Sequence, residues 1–108
     1  MVFGGPASTI RWIGNEQGHA GYPCWATIDN RRIEAMSAQG WGPELQSALE
    51  HGEAGAPDWL PGESDVPVRN HDWFWHPGRE GALYSLEELL DMHERSVGRN
   101  CNLLLNAN

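Results

Sequence analysis

The most regular stretch of the chain lies near its C-terminal end. In YSLEELLDMHERSVGRN (84–100), Leu86, Leu89, Leu90, His93 and Val97 recur at helical spacing. Residues three and four apart share one side of an α-helix, so the spacing predicts a helix with a single apolar face. Ser85 and Glu88 stand three apart, as a capping box requires, and Tyr84 with Leu89 suits a hydrophobic staple. Gly98 offers a left-handed stop, with Arg95 and Arg99 near the negative helix end. The run that follows, CNLLLN (101–106), is short and continuously apolar, which predicts a strand covered on both faces. A helix feeding such a strand is half of a βαβ unit and points to parallel α/β architecture.

Upstream, STIRWI (8–13), PCWATID (23–29) and DWFWHP (72–77) are β-branched and aromatic runs bounded by turn residues, and all three are predicted strands. PELQSALEH (43–51) is a predicted helix, with Pro43 in its first turn and Gly52 past its end. The stretch 52–70, GEAGAPDWLPGESDVPVRN, is rich in Gly, Pro and acid and is predicted as a long loop. Few strands are available, and a parallel strand at 102–106 needs covered edges, so oligomerisation is expected on physical grounds.

Composition narrows the function classes. With 108 residues the chain is one small domain, able to bury roughly 60–65% of its unfolded surface. Its net charge is −8, and all seven basic residues are arginine. Such a chain repels phosphate backbones, so nucleic acid and anionic membrane surfaces are poor partners. No apolar stretch is long enough to span a bilayer. The N-terminal MVFGGPASTIRW has neither the basic start nor the apolar core of a signal peptide, so a cytoplasmic location is expected. Cys24 and Cys101 have no metal-ligand spacing and are expected as free thiols.

Six tryptophans stand out more than the charge does. An indole face stacks on sugar C–H groups, and it also fills cores; for any one tryptophan, core packing is the commoner role. Among fifteen carboxylates, Glu16 has unusual neighbours: Ile10, Trp12 and Ile13 precede it, and Gly14 and Gly18 flank it. A carboxyl at a strand end against apolar rings would be desolvated, as a general acid at neutral pH requires. The other reading of Glu16 is a turn glutamate bonded to a nearby amide.

Three segments, TIRWIGNEQG (9–18), DWLPGESDVPVRNHDWFWHPG (58–78) and SLEELLDMHERSVGRNCNLLLN (85–106), together resemble the α-L-fucosidases of glycoside hydrolase family 29. The likeness is strongest to the subgroup acting on α-1,3/1,4-linked fucose. It implies the C-terminal part of a catalytic barrel: an α/β, partial TIM-type (β/α) barrel in one domain over 1–108, completed by oligomerisation. It also implies a retaining mechanism, in which one carboxylate attacks the anomeric carbon and another protonates the departing oxygen. RWIGNE is similar to the family segment carrying the acid–base, which assigns that role to Glu16. The family's nucleophile segment has no counterpart here, so the second carboxylate is sought among Glu63, Asp65 and Asp72, with Asp72 favoured. Arg11, Trp12, Glu63, Trp73, Trp75 and His76 are the expected substrate contacts. Arg11 has the alternative of a barrel-layer arginine, and at least one of Trp73, Phe74 and Trp75 is expected in the core. His71, Asp72 and His76 could be drawn as metal ligands, but the family uses no metal, and no cofactor is expected.

The implied function is removal of terminal α-L-fucose from fucosylated glycans or fucosides by a minimal homo-oligomeric enzyme. The alternatives are a non-catalytic fucose-binding or structural oligomer, and one half of a split fucosidase.

Overall fold

Local signals set the two clearest helices. The structure is a computed structural model and describes residues 7–108. Among these, the elements run β1 (Arg11–Trp12), β2 (Thr27–Ile28), α1 (Asn30–Ala38), α2 (Pro43–His51), β3 (Asp58–Trp59), β4 (Gly62–Pro67), α3 (Leu86–Ser96) and β5 (Asn102–Asn106), with a 3-10 turn over Val97–Arg99. α2 has the bounds that Pro43 and Gly52 mark out. α3 begins at the expected capping box: the Ser85 hydroxyl accepts from the Glu88 amide at 3.2 Å, and the Ser85 amide donates to the Glu88 carboxylate at 2.7 Å. The left-handed stop falls on Asn100 (φ 66°) rather than Gly98, because the 3-10 turn carries the chain past the glycine.

α1 was not expected, since NRRIEAMSA has no apolar stripe and the helix buries no residue. It exists because the Asp29 carboxylate caps it, accepting from the Arg31 and Arg32 amides, and because it packs on α2. Two sheets form. β1, β4 and β5 make a three-stranded sheet in that order, parallel throughout; β2 and β3 make an antiparallel pair. The stretch 52–70 is therefore not a long loop, for it supplies β3 and the central strand β4. Its glycines, proline and carboxylates hid a strand that is buried along nearly all its length. DWFWHP, in turn, forms no strand. Its one ladder contact is an isolated bridge from Asp72 to Arg69, and it belongs to the connection between β4 and α3.

Side chains alternate across a strand, and residues in parallel register share a face. Arg11, Ile13, Ser64 and Val66 therefore point to one side, where all four are buried. Ile13, Ala20, Cys24 and Cys101 form the core there, both cysteines unpaired. Gly62 fits closely at this layer, where a Cβ would stand 3.0 Å from Ile13 Cγ2. Trp12, Glu63 and Asp65 point to the opposite side, in register with Asn102 and Leu104 of β5.

β5 is not covered on both faces. It is an edge strand of the described sheet, with Leu104 and Leu105 exposed. α3 is also turned from its expected orientation. It buries Met92 and Ser96, while Leu86, Leu90 and Val97 stay exposed.

Candidate active site

The loop after β1 is shaped by its two glycines. Gly14 and Gly18 both take left-handed backbone (φ 84° and 78°), which other residues adopt only with strain. Gly18 also lies against α3, where a Cβ would sit 2.8 Å from Met92 Cβ. Between them Asn15 builds the turn: its side chain donates to His19 O and to the Glu50 carboxylate and accepts from the Gln17 amide. Glu16 is thereby lifted out of the turn into solvent. The expected burial of Glu16 against apolar rings is not found. Its carboxylate instead accepts from the Trp73 indole Nε1–H at 3.2 Å.

Trp73 is half-buried and comes from the β4–α3 connection. The end of the chain anchors it. Asn106 donates to Trp73 O at 2.7 Å, and Asn108 donates to Asp72 O at 3.0 Å. A second carboxylate–indole pair lies below: Trp12 Nε1–H donates to Asp65 Oδ1 at 2.6 Å, and the Trp12 ring meets Trp41 at 5.8 Å between centroids. Burial raises the Asp65 carboxyl above its ordinary value; the Trp12 bond opposes this and the charge of Glu16 adds to it. Glu63 is raised too, by burial and then by Asp65. Glu63 and Asp65 on one face of β4 and Glu16 in the loop past β1 thus form an electrostatic series, Glu63 to Asp65 and Asp65 to Glu16.

Other expected contacts stand elsewhere. Asp72 is engaged by Arg79, whose Nε–H donates to Oδ2 at 2.6 Å. Trp75, Phe74 and His76 share the Trp73 loop but are exposed, so none of the aromatic trio reaches the core. Indeed no tryptophan of the six is buried. Arg11 points to the other face of the sheet, where it is buried and its guanidinium donates to Leu49 O (2.8 Å), Leu60 O (2.6 Å) and Cys24 Sγ (3.3 Å). Among the described residues, no group of three or more His, Cys, Asp or Glu is placed to hold a metal ion. Trp41 and Asn106 went unnoticed in the sequence, since each acts through a contact that no local pattern marks.

A groove of about 1030 Å³ opens from Glu16 along α3, lined by His19, His71, Tyr84, Leu86 and Leu90 among others. Glu16 and the Tyr84 ring thus line one groove, together with Glu87, Glu88, Asp91 and Glu94 of α3.

The chain is similar to known proteins over nearly its whole length. No protein-family model matches the chain. Alpha-L-fucosidase 1 of Arabidopsis thaliana is 35% identical over 107 residues, covering 99% of this chain and 19% of the plant protein. A Ruminococcus gnavus family 29 fucosidase, solved in complex with fucose, superposes with a TM-score of 0.77 at 34% identity, over 98% of this chain and 20% of its own. The chain is related to part of the α-L-fucosidases. A Bacteroides thetaiotaomicron crystal structure, provisionally named an α-L-fucosidase, superposes with a TM-score of 0.82 at 38% identity, over 96% of this chain and 22% of its own. The chain thus spans about one fifth of the length of the fucosidases it matches, and its mixed α/β fold is the fold of that part of them.

Proposed function

We propose that the chain forms part of a retaining α-L-fucosidase site of the α-1,3/1,4 type, with Glu16 as acid–base. The observation that carries this reading is Glu16 itself: it lies in the RWIGNE segment, is raised between two left-handed glycines beyond a strand end, and stands beside Trp73 at the groove. In the first step Glu16 donates its proton to the glycosidic oxygen as the bond to the anomeric carbon breaks and a carboxylate bonds to that carbon. In the second step the ionised Glu16 takes a proton from water, which displaces the carboxylate and releases fucose. Asp72 is the nucleophile candidate from the sequence, but it serves only once freed from Arg79. Asp65, beside Glu16 and held by Trp12, needs no such release. Trp73 reaches the site through its N–H on Glu16, and Trp75 and His76, exposed on the same loop, are the further contacts this reading assigns to the sugar.

The site is completed by additional strands. β1, β4 and β5 are parallel neighbours in chain order, with α2 and α3 in the two crossovers, which is the pattern of successive units of a (β/α)8 barrel. The open outline agrees: the radius of gyration is 14.7 Å, against about 13 Å for a compact chain of this length. Assembly of several copies is one way to close the edges. A complementary chain is the second reading, favoured by arithmetic, because three-stranded units do not add up to eight strands.

Proton NMR of an aryl α-L-fucoside during hydrolysis tests the mechanism. A retaining site releases α-fucose first, with β-fucose appearing only by mutarotation. Release of β-fucose first, or no hydrolysis by the chain in any assembly, would overturn it.

A further inference from the structure

The Glu16–Trp73 contact joins residues 57 apart in the chain, and neither end is left to drift. Glu16 is fixed by the Asn15 turn between its glycines. Trp73 is fixed from the other side of the sheet, where β5 ends: Asn106 holds its carbonyl, Asn108 holds that of Asp72, and the Arg69 side chain donates to Asn108 Oδ1 at 2.6 Å. An indole N–H is a donor only, and among the described residues it is the side-chain donor to the Glu16 carboxylate. We infer that Trp73 is a positioning residue for Glu16, its Nε1–H fixing the carboxylate's orientation, and that Asn106 sets Trp73 for this task. The inference rests on the reading of Glu16 as acid–base and adds a function to Trp73 separate from the sugar contact expected of it.

Charged and titratable groups surround the pair. Asp65 approaches from β4, His19 from Glu16's own loop, His71 from the Trp73 loop, and Glu87, Asp91 and Glu94 from α3 across the groove. A test must therefore isolate Glu16 from them.

The indole N–H resonance of Trp73 in the ¹⁵N-labelled full chain does so, assigned by its loss in Trp73→Phe. It is expected to move as pH is taken through the carboxylate range, to stop moving there in Glu16→Gln, and to move less in Asn106→Ala. A resonance that stays still in the parent chain, or moves equally in Glu16→Gln, overturns the inference, whatever the chain's activity. Trp73→Phe removes the donor and keeps a smaller aromatic face. On an aryl fucoside this variant is expected to lose roughly ten-fold in kcat with KM little changed, as misplacement of a reacting group does. Unchanged kcat in Trp73→Phe beside a dead Glu16→Gln sinks the positioning role and leaves the fucosidase reading standing. A parent chain without turnover sinks the fucosidase reading, while the resonance still decides the contact.

Discussion

The two flanks of the central sheet differ in what they bury. On the β1–β4 flank, Ile13 and Val66 are fully buried and even a guanidinium, Arg11, is enclosed and bonded. On the α3–β5 flank, Leu86 is 73% exposed and Leu90 54%, and Leu104 and Leu105 also face solvent. In the sequence, β1 and the α3–β5 run read as apolar, whereas β4 read as loop. The difference shows that hydrophobic pattern reports the surface a segment is built to cover, whether or not this chain alone covers it. One flank is finished by α2 and the β1 loop; the other fits the proposal that further strands complete the sheet.

The sharpest way to break this comparison is to cut into both flanks. Ile13→Ala is expected to destabilise the chain by about 2–5 kcal/mol, the usual cost of a buried aliphatic truncation, measured by denaturant unfolding. Leu90→Ala is expected to stay within about 0.5 kcal/mol in the isolated chain. Equal losses at the two sites would erase the distinction. Next in size is Arg11→Met, which leaves Leu49 O and Leu60 O without their donor inside the finished flank; about 1–3 kcal/mol is expected. A neutral outcome there would make Arg11 available for a sugar contact.

The smallest effect sharpens the difference between the two faces of the sheet. Burial and Asp65 hold the Glu63 carboxyl above its ordinary value. The folded chain therefore binds more protons than the unfolded one across the carboxylate range, and this group's contribution to stability falls as pH rises through it. Glu63→Gln is expected to raise the thermal midpoint slightly at neutral pH, with the gain vanishing below the ordinary carboxylate range. A gain that persists in acid would assign the effect to packing rather than charge.

What the sequence made legible was local. Pro43, Gly52, Ser85 and Glu88 act within a turn of the helix end they mark, so α2 and α3 could be read directly. β4 could not, because Glu63 and Asp65 serve the polar face and Gly62 and Ser64 fit a crowded core, leaving no apolar alternation. α1 depends on the Asp29 cap and on α2 rather than on its own pattern. At the site, Glu16 was visible through the RWIGNE likeness and its glycines. Its partner was not, since the Trp73 contact spans 57 positions and Trp73 is itself tied to Asn106 where β5 ends. Asp72 has a different reason: Arg79 is only seven positions away, but it reaches the carboxylate across an irregular loop whose pairing no periodic pattern marks.

Release of nitrophenol from an aryl α-L-fucoside by the purified chain, beside its Glu16→Gln variant, tests the central claim most directly. The parent chain is expected to turn over substrate, and the variant to lose about 10²-fold or more, as removal of a general acid–base does. Equal turnover by the two proteins, or none by the parent chain, would contradict it.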